Sequence, residues 1–139
     1  MRDPLQTYRR RIQRLVTALR SGKYRQGQRS LRQGYGRAKT YCCLGVACDL
    51  AKRAVQGKWT VDNEFVTSTS TDVNILPFSV ELYYGFNKIK CNRFPRNPDV
   101  LIGPTLRENG LADLNDHGKT FAEIADLIEA TYLKGGSHA

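Results

Sequence analysis

The most apolar stretch of the sequence, residues 40–51 (TYCCLGVACDLA), carries three of the four cysteines and limits the possible folds most strongly. Thr40 is a preferred N-cap residue, so the pattern predicts a helix that starts at Tyr41, with Cys42 and Cys43 in its first turn. Apolar residues then recur along one helical face, at positions 44, 47, 48, 51 and 55. A second apolar row adjoins the first, so we expect this helix to be buried on most sides.

Gly45 lies inside this predicted helix. A glycine there costs about 1 kcal/mol of helix stability relative to alanine. Its presence therefore predicts that another backbone approaches the helix closely at this position.

The flanking segments predict further helices and several short strands. Asp3, Pro4 and Gln6 are typical of a helix start, and Gly22 of its end. Between them, one apolar stripe is predicted, formed by Leu5, Tyr8, Ile12, Leu15, Val16 and Leu19. Thr120 and Glu123 form a capping box before an apolar stripe that runs from Phe121 to Tyr132. The intervening predictions are strands at 30–32 and 37–40, strands on either side of 62–64, a polar loop at 68–74, a helix at 77–84, an edge strand at 89–91, a rigid connection at 94–98 and a helical piece from 103.

These elements predict an α+β fold with three main helices around a small antiparallel sheet. We expect one compact domain over residues 1–134 and a frayed tail at 135–139. A chain of 139 residues can bury a core without disulfides or metal. No apolar run approaches the roughly 18 residues of a membrane span, and the first residues lack the apolar region of a signal peptide. We therefore expect a cytoplasmic protein with reduced cysteines and no membrane partner.

Positive charge is concentrated in the N-terminal third. Residues 1–40 hold twelve Lys and Arg against one Asp, a charge of +11, and the total of +9 leaves −2 for the rest. Such asymmetry favours a polyanionic partner, although a solvated basic face is the simpler alternative. Arginine outnumbers lysine ten to two in this arm, and its guanidinium suits paired contacts with phosphate.

The leading hypothesis is that this arm binds a phosphate-bearing partner, either a nucleic acid or a nucleotide signal. The residues predicted to contact phosphate are Arg10, Arg14, Arg25, Arg29 and Arg32. Tyr24 and Tyr35 lie among the basic residues, where they either stack on bases or, more commonly for such positions, pack within the fold. The glycines match no phosphate-loop or dinucleotide pattern, and we expect no cofactor. The sequence also allows a host protein as the partner, and it allows the chain to form an oligomer.

Three motifs together resemble small, largely uncharacterised proteins of tailed phages and prophages. They are YCCLGV with CDL at 41–50, LPxxV with a glycine at 76–85, and LNDxGxxFxxIA at 114–125, preceded by ALRSGKYRQG at 18–27. The resemblance implies an accessory phage product in the cytoplasm of a bacterial host, acting against host functions or defence. It implies no catalytic residue.

A cysteine-dependent hydrolase or transferase is the enzymatic alternative. A thiol near a helix N-terminus has a lowered pKa, so Cys42 or Cys43 would be the nucleophile and His117 the base, oriented by Asn115 or Asp116. Against this, adjacent cysteines in an apolar run are typical of small core residues. The simpler interpretation of residues 115–118 is a turn, and the alternative is a pocket for an anion beside the start of the following helix. The cysteine spacing fits no common zinc site, so no metal is expected.

An inhibitor that binds an acidic surface of a host enzyme is the third hypothesis.

Overall fold

The computed structural model describes residues 4–86 and 111–134. The helices are α1 (Pro4–Arg20), α2 (Cys43–Ala51), α3 (Phe78–Tyr84), α4 (Leu111–Asp116) and α5 (Phe121–Ile128), which continues as a π-helix over Glu129–Lys134. The strands are β1 (Arg32–Gln33), β2 (Thr40–Tyr41), β3 (Lys58–Trp59), β4 (Phe65–Val66) and β5 (Thr71–Asp72). The α+β class is confirmed. The edge strand, rigid connection and helical piece predicted between 89 and 105 lie outside the described residues.

The core forms where α1 and α5 pack together with α2 and α3. The predicted apolar stripe of α1 is buried at Ile12, Leu15, Val16 and Leu19. From α5 and its continuation, the buried side chains are those of Phe121, Ile124, Ala125, Ile128 and Tyr132. Burial of such large apolar side chains contributes about 1.5–3 kcal/mol each, so this packing supplies much of the stability of the fold.

The central helix α2 is buried as expected but starts later than predicted. It begins at Cys43, and Cys42 takes the N-cap position with an extended backbone. Thr40 and Tyr41 form strand β2 instead, because Tyr41 exchanges backbone hydrogen bonds with a loop upstream: its N–H donates to Arg25 O (2.8 Å). Pairing with this loop and with β1 outweighs the local preference of Thr40 for an N-cap.

The predicted close approach at Gly45 is confirmed. A Cβ atom at this position would collide with the carbonyl oxygen of Leu31, which is a backbone atom and cannot rotate away. The glycine therefore lets the segment that leads into β1 lie directly against α2.

The strands form two sheets rather than one. β1 and β2 make an antiparallel hairpin in which Gln33 lies opposite Thr40. β3, β4 and β5 make a separate antiparallel sheet, and β5 falls in the segment 68–74 that was predicted as a polar loop. That prediction was wrong because Thr67 forms a turn: its hydroxyl accepts from Ser70 N (3.2 Å) and directs the chain back along β4.

Two predicted helix ends are confirmed. In the capping box, Thr120 Oγ1 accepts from Glu123 N (3.1 Å), and Glu123 Oε1 accepts from Thr120 N (2.9 Å). Gly85 ends α3 in the left-handed conformation with a φ of 67°. Within 4–86 and 111–134, no helix combines the length and apolar character that crossing a membrane requires.

Candidate functional site

A buried asparagine joins three segments that are far apart in the sequence. Asn115, at the end of α4, has no exposed surface. Its Oδ1 accepts from Gln26 Nε2 (3.0 Å) and from Cys43 N (3.2 Å), and its Nδ2 donates to Gly27 O (2.7 Å). Since buried polar groups that lose such partners are costly, this side chain fixes the loop at 25–29 against α2 and the α4–α5 turn.

The same loop is also bound to the start of α5. Gln26 donates through Nε2 to Lys119 O (2.7 Å) and accepts through Oε1 from Phe121 N (3.0 Å), so it satisfies a backbone donor in the first turn of the helix. Asp116 accepts from Arg29 N (2.6 Å). Arg29 has a φ of 76°, a strained backbone conformation for a residue other than glycine, and the bond to Asp116 stabilises it.

An open concavity of about 650 Å³ lies between this loop, the hairpin and the α4–α5 turn. It is lined by Gln26, Gly27, Gln28, Arg29, Gln33, Thr40, Gly118 and Lys119. Arg29 and Lys119 are exposed and bring two positive charges. The exposed side chains of Gln28 and Gln33 bring amide groups, each of which donates one hydrogen bond within the protein, to Asn115 O (3.4 Å) and to Ser30 Oγ (3.3 Å). Cations combined with neutral donors on a fixed backbone form an arrangement that suits an anionic group.

The predicted phosphate-contact residues of the loop region have different environments. Arg29 lines the concavity, and Arg25 is exposed four residues before it. Arg32 is only 8% exposed, donates to Asn63 Oδ1 (2.6 Å) and Thr60 O (3.1 Å), and stacks on the ring of Trp59 at 4.6 Å. Its guanidinium therefore anchors the hairpin to the three-stranded sheet.

The two predicted arginines of α1 lie on a different surface. Arg10 and Arg14 are exposed and one helical turn apart. Arg10 lies beside Leu133, and Arg14 lines a concavity of about 420 Å³ together with Lys52 and Arg53. The helical stretch from Lys119 to Leu133 spans roughly 20 Å at the usual rise per residue, so Arg10 and Arg29 lie near its opposite ends. The basic arm is thus divided into two surfaces.

Other arginines of α1 are engaged within the protein. Arg20 forms ion pairs with Asp126 (2.6 Å) and Glu129 (3.1 Å). Arg11 donates to Tyr83 O (2.7 Å) and stacks on the ring of Tyr83. Part of the positive charge counted in the sequence is therefore used to hold α1 in place.

The cysteines proposed as nucleophiles are core residues. Burial raises the pKa of Cys42 to about 11, despite backbone hydrogen bonds that favour its thiolate, and burial raises the pKa of Cys43 well above the usual range. Cys43 Sγ donates to Leu111 O (3.4 Å). The expected lowering of the thiol pKa at the helix N-terminus is wrong because desolvation outweighs it. His117 is exposed on the α4–α5 turn.

No metal centre is evident in the part of the chain that the structure describes, where His, Cys, Asp and Glu side chains do not gather in groups of three or more. Asn115 and Asp116, considered above as partners of His117, instead bind the 25–29 loop. Asn115 and Asp116 are thus occupied in structural contacts.

Residues 9–132 match the protein family described as Domain of unknown function (DUF8296). The chain belongs to this family. The matched range of the DUF8296 domain contains α2, the hairpin and both sides of the concavity at Arg29 and Lys119. No curated protein and no solved structure matches the chain.

Sequence reasoning missed Lys119 and Gln26 of this DUF8296 domain, and it gave Asn115 a different role. Asn115 and Gln26 are 89 residues apart, and nothing local to either indicates that they meet. The available signal was a polar Asn-Asp pair directly before a capped helix, which was interpreted as a turn or an anion pocket. The turn interpretation is confirmed, because Asn115 organises the turn, and Lys119 lines the concavity beside it.

Proposed function

We propose that this DUF8296 protein binds a phosphate-bearing partner, a nucleic acid or a nucleotide, in the concavity lined by Arg29 and Lys119. The observation that carries the proposal is the fixed placement of these two cations, from segments 90 residues apart in sequence, on one surface. The resemblance to phage proteins supports an accessory role in the cytoplasm of a bacterial host, directed against host functions or defence.

The electrostatics around the concavity support an anionic ligand. No Asp or Glu occurs anywhere between residues 4 and 48, so the loop and the hairpin bring cations without their own counter-ions. Two carboxylates lie close in sequence to Lys119. Asp116 accepts a hydrogen bond from the backbone of Arg29 rather than from its guanidinium, and Glu123 caps α5 and interacts electrostatically with Lys119. Asp116 therefore does not occupy the guanidinium donors of Arg29, which suit a phosphate group.

Salt dependence of binding tests the proposal. We would measure the affinity for a fluorescent single-stranded oligonucleotide by anisotropy over a range of salt concentrations, for the wild type and for Arg29→Ala/Lys119→Ala. Each phosphate contact contributes a slope of about 0.7 in the plot of log affinity against log salt, so the double variant should lose a slope of about 1.4. Arg20→Ala is the matched control, because that guanidinium is already paired with carboxylates.

A second double variant, Arg10→Ala/Arg14→Ala, measures the contribution of the outer face of α1. Loss of slope in this variant as well would mean that a long nucleic acid contacts both surfaces. If the wild type binds and Arg29→Ala/Lys119→Ala keeps the affinity and the slope of the wild type, the concavity is not the binding site and the proposal fails.

A further inference from the structure

The hairpin presents an exposed aromatic side chain at its tip. Tyr35 is 70% exposed and stands between Gly34 and Gly36, whose φ values of 82° and 58° form the turn. The other tyrosine considered above for stacking, Tyr24, is half-buried. Its ring packs edge-on against Tyr41 at 5.0 Å, and its hydroxyl donates to an aspartate of α2. Of the two tyrosines, only Tyr35 presents an open ring face to a ligand.

Tyr35 borders a second concavity, of about 390 Å³, on the hairpin. Lys39 lies at its edge, and its wall includes Arg32 stacked on the ring of Trp59. Arg37 is exposed at the same tip. This volume falls in the range of small-ligand sites, and it combines aromatic surface with positive charge. That combination is what proteins use to hold unpaired bases and the phosphates beside them.

The two concavities meet at the hairpin. Gln33 and Thr40, which lie opposite each other in the β1–β2 ladder, line the first concavity. Their direct neighbours Gly34 and Lys39 line the second. Arg32 and Gln33 are consecutive residues of β1 and point to opposite sides of the ladder, so the two concavities lie against opposite faces of the hairpin. A chain of linked phosphates held at Arg29 can pass around the tip from one face to the other, whereas a single nucleotide would fill only one of the two concavities.

We infer that the partner is a single-stranded nucleic acid, with one base stacked on Tyr35 and the adjoining phosphates on Arg37 and Lys39. This inference rests on the proposed function and narrows it. Bases in a duplex are stacked on each other and are not open to a lone aromatic ring, so the tip selects unpaired strands. Phosphate contacts alone would not make this selection.

The test compares three probes at one salt concentration: a single-stranded oligonucleotide of about 12 nucleotides, an abasic strand of the same length, and the corresponding duplex. We expect the wild type to bind the intact single strand more tightly than either of the others. Tyr35→Ala should bind the intact strand about 5- to 150-fold more weakly and leave binding of the abasic strand unchanged. Tyr35→Phe should keep wild-type affinity, because the stacking ring is retained.

Phe78→Ala is the matched control. Phe78 is an aromatic residue that is 62% exposed on α3, away from the hairpin, so its loss should not affect binding. Equal affinity of the wild type for intact and abasic strands, or of Tyr35→Ala and the wild type for the intact strand, would overturn the inference. If binding then still depended on Arg29 and Lys119, the proposed phosphate site would stand without the stacking site. Absence of binding to every probe would overturn both.

Discussion

Replacing Asn115 by alanine should destabilise the protein severely. The change removes three hydrogen bonds at a position with no exposure and leaves Cys43 N and Gly27 O without this partner. Each buried polar group left unsatisfied costs about 1–3 kcal/mol, so we expect a loss of about 2–6 kcal/mol in the free energy of unfolding. A domain of this size has roughly 5–15 kcal/mol in total.

Asn115→Asp separates the hydrogen-bond argument from simple loss of packing. The aspartate keeps the shape and one acceptor, but its second oxygen would face Gly27 O, which lies 2.7 Å from the amide nitrogen in the wild type. Burial and this contact favour the protonated acid, which can donate to Gly27 O, and so raise the pKa of the introduced carboxyl in the folded state. The deficit of this variant relative to the wild type should therefore shrink as the pH falls through that raised pKa.

Urea unfolding of the three proteins, followed by circular dichroism at several pH values, measures these effects. Asn115→Ala should show a deficit that changes little with pH, because it introduces no titrating group. A loss of less than about 0.5 kcal/mol for Asn115→Ala, the size typical of surface substitutions, would refute the anchoring role. A deficit of Asn115→Asp that does not depend on pH would refute the assigned hydrogen-bond directions.

Three further predictions concern α2. Gly45→Ala should lower the free energy of unfolding by about 1–3 kcal/mol or more in urea titrations, because its Cβ would collide with Leu31 O; a neutral effect would contradict that contact. The side chain of Asp49 accepts hydrogen bonds from Tyr, Trp and Lys donors. Burial alone would raise the pKa of Asp49, but these hydrogen bonds lower it. Their contribution to stability is therefore present at neutral pH and is lost as the pH falls through the lowered pKa. Asp49→Asn should cost about 1–3 kcal/mol at neutral pH and much less well below about pH 4; an equal cost at both would be evidence against the linkage. Cys42 and Cys43 should resist iodoacetamide at neutral pH until denaturant is added, as read by peptide mass spectrometry; rapid labelling of either in the folded protein would revive the enzymatic hypothesis.

The features predicted well from sequence are those with a local physical cause. The capping box at Thr120 and Glu123 needs only residues three apart, and the stripe of α1 needs only helical periodicity. Gly45 is a more informative case: a glycine inside an apolar helix indicated a close backbone approach, and Leu31 makes it. The sequence could not say which backbone would approach.

The features predicted poorly depend on contacts between distant segments. Thr40 has the local character of an N-cap, but the pairing of its strand with β1 decides its conformation. Charge counting likewise could not separate Arg20, which is ion-paired across more than one hundred residues, from Arg29, which lines the concavity. For the same reason, Lys119 could not be assigned to the site before the loop and the turn were seen together.

The most direct test of the binding site is a titration of the isotopically labelled full chain with a single-stranded oligonucleotide, followed residue by residue in ¹H–¹⁵N NMR spectra. The account predicts the largest shifts at Gln28, Arg29, Gly118 and Lys119, with further shifts at the hairpin tip around Tyr35. Shifts confined to the outer face of α1, or spectra that do not change at saturating oligonucleotide, would contradict it.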